Sequence, residues 1–167
     1  SEKLQTNDPS ASEQWAFFND GSFTSEEITK YPVYSDPFGQ PSENAERLGT
    51  LVEVKKRQAV SGVDINLKQA WETYGNGSHD TIVAMIDTGI DDTHEDLKDT
   101  LWVNTDEIPG NGIDDDGNGY VDDRYGWNFY NNNNQIFTGN EDSHGTHGAG
   151  TISAGTGNGI GIAGIVP

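Results

Sequence analysis

Asp87 and His144 are the two residues from which a reaction can be argued. Asp87 closes the apolar run Thr81-Ile82-Val83-Ala84-Met85-Ile86 and is followed by Thr88-Gly89. His144 lies in Glu141-Asp142-Ser143-His144-Gly145-Thr146-His147-Gly148-Ala149-Gly150-Thr151. A carboxylate held against an imidazole fixes its tautomer and stabilises the imidazolium, which is what a histidine needs to act as general base toward a serine hydroxyl. Taken alone, Asp87 reads better as a turn or helix-capping residue. A nucleophilic serine in a suitable setting is not recognisable in the 167 residues.

His144 and His147 stand three apart, so on a helix both could face one side and hold a metal. A zinc enzyme would then need a third ligand, His94 or Asp142, and a glutamate base within the helix. Gly145-Thr146 lies between the histidines, so the H-E-x-x-H arrangement is absent. General-base chemistry at His144 is the preferred reading, with His147 as a structural residue packing behind it.

These side chains need elements to carry them. The continuous apolar run 81–86, preceded by a helix, reads as a buried parallel strand, and a carboxylate at its carboxyl end sits where open α/β sheets place ligands. Ile65, Leu67, Ala70, Trp71 and Tyr74 fall near helical spacing, with Asp64 as N-cap and Gly75 as stop. A second helix is expected at about 144–154. It is poor by propensity because of Gly145, Gly148 and Gly150, which are useful there only if another backbone or a substrate comes close. Residues 1–60 read as a polar, irregular arm interrupted by Pro9, Pro32, Pro37 and Pro41, with Leu51-Val52-Glu53-Val54 a weak strand. Trp15, Phe17, Phe18, Phe23, Tyr31, Tyr34 and Phe38 are its candidate anchors on a body formed by 61–167.

From Asp106 to Asp123 there are seven acidic residues and no basic ones. Within this stretch Asp114, Asp116 and Asn118 alternate ahead of Gly119, like the start of an EF-hand loop. Asp114, Asp116 and Asn118 side chains, the Tyr120 carbonyl and Asp123 (or Asp122) are candidate calcium ligands. The twelfth position is Tyr125 rather than a bidentate glutamate, so the loop is not a complete EF-hand.

The sequence Ile82 to Asp91, followed by His94-Glu95-Asp96-Leu97, resembles the aspartate box of the subtilisin-like serine proteases. His144-Gly145-Thr146-His147-Gly148-Ala149-Gly150-Thr151 resembles their histidine box, and Asn7-Asp8-Pro9 with Gln14-Trp15 is similar to mature starts in the family. The resemblance is strong over 62–105 and 140–167, whereas 19–60 and 105–139 look like insertions or divergent loops. It implies a three-layer α/β fold with a mainly parallel sheet, here only its N-terminal portion. It also implies serine endopeptidase activity on protein or peptide substrates, with Asp87 as triad aspartate and His144 as general base. The serine and the oxyanion-hole asparagine belong to a later segment, expected as a separate or missing partner. The end at Pro167 reads as an internal cleavage or the boundary of a shorter piece. On that basis 1–167 alone is expected to be neither active nor well folded. A calcium-stabilised binding module that has lost catalysis is the alternative. Gly148 departs from the family's usual valine, which should loosen packing beneath the helix. Gly155-Thr156-Gly157-Asn158-Gly159-Ile160-Gly161-Ile162 looks like the family's calcium loop. The implied ligands are the carbonyls of Gly155, Ile160 and Ile162, the Asn158 side chain, and the carboxylates of Asp8 and Asp96.

Composition sets the outer limits. Apolar residues make up 32% and the formal charge is −19, from 28 acidic and 9 basic side chains, with a mean hydropathy of −0.72. The core should therefore be thin. Such a field repels nucleic acid and anionic membranes and attracts calcium or a basic partner. No cysteine is present, so disulfides and thiolate zinc sites are excluded. No apolar run is long enough to span a bilayer. No signal peptide is visible ahead of Ser1, and the expectation is a processed, secreted or cell-surface protein of bacterial type.

Overall fold

The computed structural model describes residues 6–14, 16–34, 47–78, 80–139 and 143–167. The chain is α/β in its elements: a single 3-10 turn at Ala11–Glu13, a hairpin of β1 (Thr24–Tyr34) and β2 (Arg47–Gln58), then α1 (Leu67–Tyr74) and α2 (Ser143–Ser153). Trp15, Phe38, Pro37, Pro41 and Asp142 lie outside the described residues.

The hairpin corrects the expectation of an irregular arm. β1 and β2 pair antiparallel, with Ile28 opposite Val54 and Glu26 opposite Lys56. The strand expected at 51–54 is the middle of β2. β1 forms despite Pro32 because both strands of a two-stranded ribbon are edge strands, where a missing N–H can face outward. Lys56 Nζ lies 3.0 Å from Glu26 and Arg57 Nη2 2.9 Å from Glu27. These exposed pairs set register more than stability, at about 0–1 kcal/mol each. Of the aromatic anchors, Phe17 is buried, whereas Phe23 and Tyr31 are exposed on the ribbon.

The segment before the hairpin does pack on the body. Ser10 N–H donates to the Gly161 carbonyl at 2.8 Å, and the Gln14 amide bonds both the N–H and the carbonyl of Ala163, at 2.9 and 2.8 Å. α1 starts two residues later than Asp64 predicts, at the left-handed Asn66. Asp64 instead ties two segments together, accepting from Asn66 N–H at 2.7 Å and Asn19 N–H at 2.9 Å. Gly75 ends the helix as expected, its φ of 75° allowing its N–H to close on the Trp71 carbonyl at 2.8 Å. Trp71 Nε1 donates to the Ile165 carbonyl at 2.8 Å, which docks α1 against the last residues described.

Among the described residues the buried apolar ones are few: Phe17, Leu67, Leu97, Ala149, Ala154 and Ala163. This is the thin core that the composition foretells, drawn from the arm, the start of α1, the loop after Asp87, α2 and the tail. The parallel strand expected at 81–86 is not formed. Residues 82–86 pair with no strand, and the one sheet among the described residues is the antiparallel ribbon. Ile82, Val83 and Ile86 are 63%, 57% and 96% exposed. A parallel strand requires a crossover-connected neighbour on its ladder, and no other described segment supplies one. No described helix is long and apolar enough to cross a membrane.

Candidate active site

Asp87 and His144, fifty-seven residues apart, meet where the turn after residue 86 approaches the first turn of α2. His144 Nδ1 lies 2.9 Å from each Asp87 carboxylate oxygen. The Asp87 side chain is 19% exposed and that of His144 82%, so the carboxylate is shielded while the ring stands open to solvent. With Nδ1 engaged, Nε2 is the nitrogen available to take a proton from outside.

Thr88 completes the support of the carboxylate. Its N–H donates to Asp87 Oδ1 at 2.7 Å and its hydroxyl to the same oxygen at 3.2 Å. The backbone bond from Thr88, then the bond to His144, hold the Asp87 carboxyl below the usual carboxylate range. The contribution of ionised Asp87 is therefore fully present above the ordinary aspartate range and is lost as pH falls through the lowered value.

Gly145 explains why a glycine-rich sequence opens this helix. It is buried, and a Cβ there would overlap the Gly89 carbonyl oxygen and sit 3.2 Å from Asp87 Cβ. The close backbone approach anticipated from the sequence is therefore the turn of the aspartate box itself. Gly145→Ala should push α2 away from residues 87–89, destabilise the fold by about 1–3 kcal/mol, and break the Asp87–His144 bond. Chemical denaturation and loss of the low-field His144 Nδ1 proton resonance check this. At Gly148 a Cβ would lie 3.2 Å from Met85 Cε. The space left by the absent valine is thus taken by a flexible methionine, not left loose.

His147 departs from its expected place: it is exposed rather than packed behind His144. With His94, Asp91 and Thr146 it lines a cavity of about 430 Å³ on the far side of α2. His94 Nδ1 is taken by the Asp96 N–H at 3.2 Å. Among the described residues, three carboxylate or histidine ligands converge at one place only, and no histidine belongs to it. Asp142, the other suggested zinc ligand, lies outside the described residues.

That convergence is Glu107, Asp114 and Asp116. Around it the structure gathers four of the five residues expected to ligate in the acidic loop. Asn118 N–H reaches Asp114 at 3.0 Å and Asp116 at 2.9 Å, and its amide nitrogen reaches Asp116 at 2.9 Å and Asp123 at 3.1 Å. Asp122, the alternative to Asp123, is instead turned to the N–H groups of Gly110, Asn111 and Gly112 at 2.7, 3.2 and 2.9 Å. Tyr120 N–H bonds the Asn118 side-chain oxygen at 2.8 Å, and its ring packs 5.1 Å from Trp127.

Sequence reasoning passed over two organisers of this loop. Buried Glu107 accepts N–H bonds from Asp115, Asp116 and Asp122 at 2.9, 3.2 and 3.0 Å. Buried Asn104 donates to Asp116 and Asp123 at 3.0 and 2.9 Å. The Asn104 bond is the main reason the Asp116 carboxyl is held below its ordinary range. A lone glutamate opening an acidic stretch was the only available signal.

The residues of the second loop also come together. Asp8 and Asp96 are 5% and 4% exposed. Asp8 accepts from the N–H groups of Gly157, Asn158 and Gly159 at 2.8, 3.0 and 3.1 Å, and from the Thr6 hydroxyl. Asp96 accepts from the Asn158 amide at 2.9 Å and Ile162 N–H at 3.0 Å, and its own carbonyl accepts from Gly155 N–H at 2.9 Å. The Asn158 side-chain oxygen accepts from Ile160 N–H at 2.8 Å. Asp8 and Asp96 are buried carboxylates held mainly by N–H groups, with no basic partner among the described residues, and the ligands implied for this loop are all oxygen, which suits a hard divalent cation better than a soft one. The acidic loop, likewise all oxygen, passes the same test.

The sequence model of the subtilase family matches residues 78–167, more than half of the chain and including Asp87 and His144. The chain belongs to the subtilase family. Its relatives include "Subtilisin-like protease 1" of Plasmodium vivax, 50% identical over 86 residues that make up 51% of this chain and 13% of the relative. The protein of the same name from Plasmodium berghei is 44% identical over 93 residues, 55% of this chain and 15% of the relative. The chain therefore spans only a small part of the length of these relatives.

Proposed function

We propose that this chain is the aspartate- and histidine-bearing part of a secreted subtilisin-like serine endopeptidase. The observation that carries the reading is the bond between His144 Nδ1 and Asp87 at 2.9 Å, with the ring otherwise open to an incoming nucleophile. A serine from a later segment attacks a peptide carbonyl, and His144 Nε2 takes its hydroxyl proton. The tetrahedral adduct collapses as His144 returns that proton to the leaving amine nitrogen, giving an acyl-enzyme and the first peptide product. Water then repeats the sequence: His144 accepts its proton, the serine–acyl bond breaks, and the serine oxygen recovers the proton. Asp87 stays ionised throughout and orients the ring.

The later segment is the natural partner of this chain. In the longer protease, residues 82–86 become a buried strand of a mainly parallel sheet, which their exposed apolar side chains favour. Calcium is the proposed cofactor, structural rather than catalytic. Asp8, Asp96, Asn158 and the carbonyls of Gly155, Ile160 and Ile162 would hold one ion, tying the arm to the body. Asp114, Asp116, Asn118, Asp123 and the Tyr120 carbonyl would hold another.

Treating the complete protease with a fluorophosphonate probe and measuring intact mass tests the reading. One adduct, on a serine of the later segment, is the expected result. A folded, calcium-loaded protein that takes no adduct and cuts no peptide would show that the fold has been kept without the chemistry.

A further inference from the structure

The contact between the turn after Asp87 and the start of α2 contains almost no apolar side chain. Gly89 and Gly145 meet backbone to backbone, and Met85 packs at Gly148, a turn further along α2. Besides the Asp87–His144 bond, a pair of threonines joins them, working in opposite directions. From the turn, the Thr88 hydroxyl receives the Gly145 N–H at 3.4 Å. From the helix, the Thr146 hydroxyl receives the Asp91 N–H at 3.0 Å. Thr146 is half-buried, and Thr93 N–H and hydroxyl engage the Asp91 carboxylate at 3.0 and 2.6 Å. Asp91 is thus held at both its amide and its side chain.

We infer that Thr146 is a positioning residue for the Asp87–His144 pair. Its hydroxyl pins the far end of the 87–91 turn to the helix that carries His144, so that turn and helix keep one spacing. This rests on the serine-protease reading above, and Thr146 touches neither substrate nor the reacting atoms. Two features favour it over a merely structural bond. Thr146 directly follows the glycine on which the close approach depends. It also fixes the turn from the side opposite Thr88, so the pair constrains rotation of the turn as well as its distance.

The test compares Thr146→Val, which keeps shape and removes the acceptor, with Thr146→Ser, which keeps the acceptor and removes a methyl, in the complete protease. Thr146→Val should lower kcat about 10- to 100-fold, the size of effect a displacement of about 1 Å produces, with KM changed less than about twofold. Thr146→Ser should retain most of the wild-type kcat. Fluorophosphonate labelling rates should fall in parallel with kcat, at temperatures where both variants are folded. If Thr146→Val does not accumulate as folded protein, Thr146→Ala, which cannot overpack a half-buried site, takes its place in the same comparison. An unchanged kcat and labelling rate overturns the inference. So does a loss that Thr146→Ser shares and that follows the fall in melting temperature. If the wild-type protease itself neither labels nor cuts peptides, the serine-protease reading fails and this one falls with it; an active wild type beside an unaffected Thr146→Val removes this inference alone.

Discussion

Asp87→Asn in the complete protease should lower kcat by about 10⁴-fold, the loss seen when a triad aspartate is replaced in studied serine proteases, one of them a member of this same family. The side chain keeps its shape, so the cause is the proton. An asparagine can offer its amide N–H to His144 Nδ1, which favours the tautomer carrying hydrogen on Nε2. That nitrogen then cannot accept the serine proton. KM should change little, because Asp87 faces the imidazole and not the solvent side where a peptide would lie. The melting temperature should move little too, since the His144 ring is 82% exposed and the pair adds little packing. The measurement is kcat and KM beside a thermal melt. A loss below tenfold would mean that His144 does not depend on Asp87 for its tautomer. The contrast with Gly145→Ala is useful, because that change should take stability and activity together.

Asp96→Ala should have the largest effect on stability and should remove the share of calcium stabilisation that belongs to the Asp8–Asp96 loop. Asp96 is 4% exposed, and its loss removes the partner of the half-buried Ile162 N–H and of the exposed Asn158 amide. The Ile162 donor left without a partner costs about 1–3 kcal/mol, whereas the Asn158 amide can turn to water. In the wild type, calcium at about a thousandfold excess over its Kd should add about 4 kcal/mol and raise the melting temperature, with chelation reversing it. The variant should lose the part of that response due to the second loop, leaving only the part due to Asp114 and Asp116. Melts of both proteins across calcium concentrations decide the matter: an equal calcium response in the two would remove Asp96 from the ligand set. Because Asp8 bonds three consecutive N–H groups of the same loop from the N-terminal side, Asp8→Ala should also release the arm.

Much of this site was legible because its chemistry is written in short contiguous runs. Asp87 with Thr88-Gly89, and His144 with its glycines, carry residue types whose order alone restricts what they can do, so the pair could be named before any geometry was known. α2 was placed to within a residue for the same reason, and Gly75 marked the end of α1 because a positive φ there is cheap only for glycine. The Asp114–Asn118 alternation pointed to an oxygen-lined loop in the same local way.

The residues that were missed act across distance. Glu107 and Asn104 carry no pattern of their own, and they matter because folding brings their side chains onto Asp116, Asp122 and Asp123. Asp64 looked like a cap and became a tie between Asn19 and Asn66. Asp122 and Asp123 are equivalent in the sequence; a left-handed backbone at Asp122, φ 54°, accompanies a carboxylate turned toward residues 110–112, whereas Asp123 faces Asn104 and Asn118. The hairpin of β1 and β2 escaped notice because prolines argue against strands only where every N–H must be paired, and a two-stranded ribbon does not require that. Residues 81–86 show the converse. Their apolar run specifies a strand to be buried, but burial needs neighbours that the described residues do not provide. The sequence by itself determined which groups could carry the proposed chemistry and which local turns hold them. Only the tertiary structure decided that His144 Nδ1 meets both oxygens of Asp87, that Gly89 comes close enough to demand glycine at 145, and that Thr146 closes the turn. Those are contacts between segments far apart in the chain, fixed by packing rather than by any local preference.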